Sequence, residues 1–119
     1  MKKIIRLEWL SREADEALLN ISDNEYEVIV FSQPCKYKLG DIIIPPLRAF
    51  DVKDLMLSRD DGVKIEKIGS YFEYKITAVV KDTENAIASV GGIDIELDDI
   101  PRWASNGDVI DFVVGRLDI

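Results

Sequence analysis

The 119-residue chain carries 15 Lys plus Arg against 23 Asp plus Glu, a net charge of −8, with one cysteine and no histidine. Those counts exclude a Ser-His-Asp triad, a His/Cys zinc site and a disulfide framework. With 47% hydrophobic residues, one domain is expected, and a chain this long removes roughly two-thirds of its unfolded surface from water.

The opening Met1–Leu10 sets two lysines before apolar residues, but Arg6 and Glu8 interrupt the run, so it does not read as a signal peptide. No segment approaches the ~20 apolar residues of a membrane span, and no membrane association is expected. Lys3 to Trp9 reads as a strand. Ser11 then resembles a helix N-cap, followed by Glu13, Asp15 and Glu16 where the helix dipole favours acids. Ala14, Ala17, Leu18 and Ile21 recur at helical spacing, which predicts one short amphipathic helix ending in the turn formers Asn20 to Asn24. Tyr26 to Phe31 is β-branched and aromatic, hence a strand, and it stops before Pro34.

Cys35 follows, beside Lys36 and Lys38, which favour a thiolate. Without a histidine to serve as base, no catalytic role is expected for it. A single thiol kept reduced fits a cytoplasmic protein. Ile42 to Ile44 is a short strand that Pro45-Pro46 terminates. Leu47 to Leu57 has no clean period and is compatible with helix or strand, and Ser58 to Gly62 is a loop.

The second half alternates with period two. Phe72, Tyr74, Ile76, Ala78 and Val80 share one face of a long strand, and Asp82 to Asn85 forms a hairpin loop. Ala86, Ala88 and Val90 share a face until Gly91-Gly92, after which the phase flips to Ile93, Ile95 and Leu97. Either a two-residue hairpin or a bulge produces that flip. Asn106-Gly107-Asp108 turns into a last strand, Val109 to Asp118. The class expected is mostly β (α+β): one domain over residues 1–119, an OB-like barrel or strongly curved antiparallel sheet carrying the short N-terminal helix. Within it, a strand-helix-strand part spans residues 1–59 and the OB-like part spans residues 63–119.

The order of Tyr74 to Val80, the loop, Ala86 to Val90, the glycine corner, the Gly-Asp turn and a strand closing in Leu117-Asp118 resembles an OB-fold barrel of the ribosomal S-one type. The resemblance covers residues 72–118 and implies an RNA-binding module with a further strand, which here would come from Glu25 to Phe31. Three features depart from it, the first being that this further strand does not follow Ile119 as it would in the family. Ala86, Ala88 and Ser89 stand on the second strand, where stacking aromatics are needed to hold single strands. Charge is the third: residues 1–59 hold nine basic and ten acidic side chains, whereas residues 60–119 hold six and thirteen. Phosphate binding needs a basic footprint, and the barrel-like half is the acidic one.

Function is therefore expected to be binding rather than catalysis, with no cofactor. The leading expectation is a protein-protein interaction module presenting Asp94, Glu96, Asp98, Asp99, Asp108 and Asp111 to a basic partner, a complementarity that speeds association and rejects wrong partners. One form is an immunity or inhibitor protein covering the basic site of a nuclease toxin. The alternative is single-stranded nucleic-acid binding through Lys36, Tyr37, Lys38, Arg48, Phe50 and Lys53. Asp94, Glu96, Asp98 and Asp99 have the oxygen chemistry for Ca²⁺ or Mg²⁺. Carboxylates along an extended strand diverge, however, so no metal site is expected. Trp9 and Trp103 could each contact a ligand, but Trp103, beside Pro101, is expected to cover the core.

Overall fold

A computed structural model describes residues 1–119 and shows twelve strands and no helix. β1 (Lys2–Ser11), β2 (Glu16–Ser22) and β3 (Glu27–Ser32) form an antiparallel meander. The helix expected after Ser11 is replaced by the β1–β2 hairpin. Ser11 does make an N-cap-like bond, its Oγ accepting the Ala14 N–H at 3.1 Å, but Asp15 follows at φ +54°, and the chain turns back. Two apolar stripes run through this segment, and the structure buries the period-two one, Ala17, Leu19 and Ile21. A helix of about ten residues is marginal without packing, whereas as a strand the segment gains a ladder on both sides.

β4 (Ile42–Ile43) pairs with the start of β1. The ambiguous stretch 47–57 is two strands, β5 (Leu47–Phe50) and β6 (Lys53–Leu57), broken at Asp51-Val52, with Asp51 at φ +58°. β7 (Lys64–Ile68), β8 (Glu73–Asp82), β9 (Ile87–Val90) and β10 (Ile93–Glu96) follow as antiparallel neighbours. Val90 pairs with Ile93, so Gly91-Gly92 is a two-residue hairpin rather than a bulge. The expected last strand is two, β11 (Val109–Val114) and β12 (Arg116–Asp118), divided at Gly115.

All twelve belong to one sheet ordered β4-β1-β2-β3-β12-β5-β10-β9-β8-β11-β6, with β7 on β8. The path is open at both ends, so the mostly β class holds but the sheet does not close into a barrel. It is strongly bent, because β11 and β12 are consecutive in the chain yet stand far apart in the order. Arg48 to Phe50 pair with Asp118 to Arg116, and Lys53 to Leu57 pair with Val113 to Ile110, so β5–β6 and β11–β12 make one kinked ladder. Gly115 permits the kink: a Cβ there would lie 3.0 Å from the Asp51 side chain, and its N–H donates to the Phe50 carbonyl at 2.9 Å. One continuous core of 26 residues lines the concave side, including Phe112, Ile76, Ile95, Leu19 and Leu117. Each such large side chain contributes about 1.5–3 kcal/mol on burial.

Asp23 ties the meander to the β9–β10 corner. Its Oδ1 accepts the N–H groups of Glu25 and Tyr26, and its Oδ2 accepts the Gly92 N–H at 2.6 Å. Gly91 stands at φ +58°, and a Cβ on it would lie 2.7 Å from Asp23 Oδ2 and 3.0 Å from the Tyr26 ring. Gly91→Ala therefore combines a left-handed alanine with a clash against a fixed carboxylate, and about 2 kcal/mol of destabilisation is expected. Gly62→Ala, with open space around it, serves as the control in urea unfolding and should shift stability by less than about 0.5 kcal/mol.

Candidate acidic interface

The six acids singled out from the sequence do not form one patch. Asp94 stands on the outward face of β10, where it accepts a hydrogen bond from the Ser89 hydroxyl and pairs with Lys81 Nζ at 2.9 Å. Burial alone would raise its pKa, but the Ser89 and Lys81 hydrogen bonds and the charges of Lys81 and Lys2 outweigh it and hold the carboxyl below its ordinary 3.8. Lys2 is buried, which lowers its own pKa, and Asp94 is the anion that opposes the loss of its charge. Asp94 is thus a counter-charge for the fold. Asp111 is three strand steps away on β11 and accepts the hydroxyl of fully buried Thr77 at 2.6 Å.

Two connections at the other end of the β8–β10 hairpins, 83–86 and 97–108, do converge. The Leu97 N–H donates to the Ala86 carbonyl, the Thr83 N–H to Asn106 Oδ1, and the Gly107 N–H to the Val80 carbonyl. A shallow depression of about 400 Å³ results, with Glu84, Glu96, Asp98 and Asp99 on its rim and Arg48 as its one base. Arg48 meets Glu96 at 3.4 Å, which leaves Glu84, Asp98 and Asp99 without an ionic partner. Asp108 ends the same 97–108 connection, its Oδ2 accepting the Ser105 N–H at 2.9 Å. The depression is open, and no three His, Cys, Asp or Glu side chains are set to hold a metal.

Glu84 was not among the candidates, because only the Ala86–Leu97 contact brings its loop beside Asp98. Trp103 departs from its expected role. Instead of covering the core it is 49% exposed on the same 97–108 connection, while its neighbours Ile100 and Ala104 are buried in its place. Trp9 is half-buried, with the Arg12 guanidinium 4.7 Å from its ring.

The basic candidates are also divided. Lys36, Tyr37 and Lys38 belong to the β3–β4 loop, where Tyr37 packs on the core. Lys53 starts β6 opposite Val113. Arg48 and Phe50 share the outward face of β5, next to Arg116, whose guanidinium lies 4.8 Å from the Phe31 ring and 5.1 Å from Phe50. One edge of that guanidinium, Nε and Nη2, donates to the two carboxylate oxygens of Asp118, at 2.6 and 2.8 Å. The chain matches no known family model, no curated protein and no solved structure.

The acids are thereby separable by experiment. Asp94→Ala removes the partner of Ser89 and Lys81 and an anion near Lys2 and should cost about 1–2 kcal/mol, while Glu96→Ala, at an exposed ion pair, should cost less than about 0.5 kcal/mol. Because the folded pKa of Asp94 is depressed, its stabilisation is present above 3.8 and is lost as pH falls through the lower folded value. Acid unfolding of Asp94→Asn should accordingly show a shallower loss of stability below pH 4 than the wild type, read by fluorescence.

Proposed function

We propose that the protein is a protein-protein interaction module whose acidic end docks on a basic surface of a partner. The observation that carries this reading is the convergence of Glu84, Asp98 and Asp99, all free of ion pairs, on a depression whose single arginine is already matched by Glu96. Unpaired carboxylates on one rim set up a field that accelerates encounter with a basic partner. Exposed Trp103 on the same connection supplies the aromatic contact in which interface energy concentrates. An inhibitor or immunity protein seated over the basic site of a nuclease is one concrete form of this reading.

The nucleic-acid alternative draws on Arg48, Phe50 and Arg116, which stand together on the outward face of the sheet. It is disfavoured by the pairing of both arginines with carboxylates and by the acidity of the surrounding half. The OB-like reading of residues 63–119 draws its support from the kink at Gly115, which curls β8–β12 together with β5 around the core.

Affinity capture from the lysate of the source cell tests the proposal. The wild type should retain a basic protein that about 0.5 M salt releases, and Glu84→Gln/Asp98→Asn/Asp99→Asn should retain at most a tenth as much. Trp103→Ala should weaken capture comparably without lowering the unfolding midpoint. Equal capture by wild type and triple variant would overturn the acidic interface. Tight, steeply salt-dependent binding of a single-stranded RNA oligomer, lost on Arg48→Ala and Phe50→Ala, would favour the alternative.

A further inference from the structure

Beyond that reading, β1 offers an interaction surface of its own. It pairs with β2 along its length, but on its other side β4 meets only Lys2 and Lys3. The Asp41 carbonyl and Gly40 N–H then take up the main chain of Ile4, and from Ile5 onward no hydrogen bond reaches that edge. Such an edge is a template for another strand. Ile5 and Leu10, the residues skipped by the two register shifts, are exposed and bracket a regular stretch, Arg6 to Trp9.

We infer that this edge pairs antiparallel with the same edge of a second copy of the chain, about a two-fold axis at Leu7. The argument is charge self-complementarity. In that register Leu7 faces Leu7 of the other copy, Arg6 faces Glu8, and Glu8 faces Arg6, so one two-residue spacing yields two cross-strand ion pairs. Directly opposed residues bring their Cβ atoms ~4.5–5.5 Å apart, within reach of these side chains. Arg6 and Glu8 are both exposed and neither forms an ion pair within the chain. A two-fold contact of this kind is closed and stops at the dimer.

The other edges are less suited. β4 has two residues and runs into Pro45-Pro46, which cannot extend a ladder. β6 carries Asp54 at φ +56°, which breaks the run of outward main-chain groups. On β7, Lys64 is already held by Asp60 at 3.3 Å and Glu66 at 3.2 Å. Local repulsion at β1 is small, because on that strand Lys2, Lys3 and Arg6 stand against Glu8 alone.

One short strand pair buries little surface, so dissociation on the order of 10–100 µM is expected. Sedimentation velocity of the full chain from 5 µM to 1 mM reads it, with far-UV circular dichroism confirming that the exposed-site variants fold. The wild type should pass from monomer to dimer across that range. Arg6→Glu sets carboxylate against carboxylate in both pairs, Glu8→Arg sets guanidinium against guanidinium, and each should raise the dissociation constant at least about tenfold. The double swap Arg6→Glu/Glu8→Arg restores complementarity and should bring dimerisation back to within about threefold of wild type. A wild type that stays monomeric at 1 mM overturns the inference, as does a dimer that the single reversals leave unchanged. Restored dimerisation in the double swap distinguishes strand pairing from a general effect of net charge, and none of these variants touches the acidic loops.

Discussion

The sheet depends on how the chain bends at Gly115 and what Arg116 does immediately afterwards. β12 is three residues long, yet it stands between the meander and the rest of the sheet, antiparallel to β5 and parallel to β3 through one pair, Asp118 and Phe31. So small a ladder supplies few main-chain bonds. Arg116 compensates by lying across Phe31 on β3 and Phe50 on β5 while Asp118 grips its guanidinium. Stacked arginine presents an apolar face and a hydrogen-bonding edge at once, and here each is used on a different neighbour. Phe72, edge-on to Phe31 at 4.7 Å, extends the cluster to the start of β8.

Around that junction the two parts of the molecule are joined by polar groups that each satisfy an otherwise orphaned partner. The Tyr74 hydroxyl accepts the Ile29 N–H at 2.9 Å, on β3, which β12 meets only at Phe31. The Tyr26 hydroxyl donates to the Val63 carbonyl at 3.3 Å, and Asp23 takes three N–H groups from two loops. Burial would raise the Asp23 pKa, but those donors outweigh it and keep the carboxyl ionised at lower pH. Leaving a buried main-chain donor unmade costs more than the bond gains, so these contacts fix the orientation of the meander more than they add to its stability.

Much of this was legible in the sequence, and the failures have physical causes. Strict alternation located β8, β10 and β11, because an apolar residue every second position has one explanation when one face is buried. The N-terminal hairpin was misread because Leu18 and Leu19 are adjacent, so the same residues satisfy a helical stripe or a strand face. What decides between them is the left-handed turn at Asp15 and the ladder with β1, and the second of these is tertiary. β5 and β6 were ambiguous since the kink at Asp51-Val52 interrupts their period. Within the candidate site, Asp98 and Asp99 were readable as exposed acids after an alternating run. Glu84 was not, since its neighbourhood is created by the Ala86–Leu97 bond across a loop.

Net charge gains meaning only after the acids are sorted by what already neutralises them. Asp94 answers Lys81 and the buried Lys2, Asp118 answers Arg116, Glu96 answers Arg48, and Asp111 is held by Thr77. Four of the acids in the acidic half are therefore engaged with groups of the fold, and their charge is weakly projected to solvent. Glu84, Asp98 and Asp99 have no ionic partner, Asp99 accepting only the neighbouring Ile100 N–H, and they lie together on the loops that close one end of the β8–β10 hairpins. Had the charge served solubility alone, placing unpaired acids side by side would be unfavourable, because like charges repel and scattering them achieves the same end. Concentrating them at one end, on loops that also carry the exposed Trp103, has an electrostatic cost in the free protein, which is the cost that the proposed basic partner would remove.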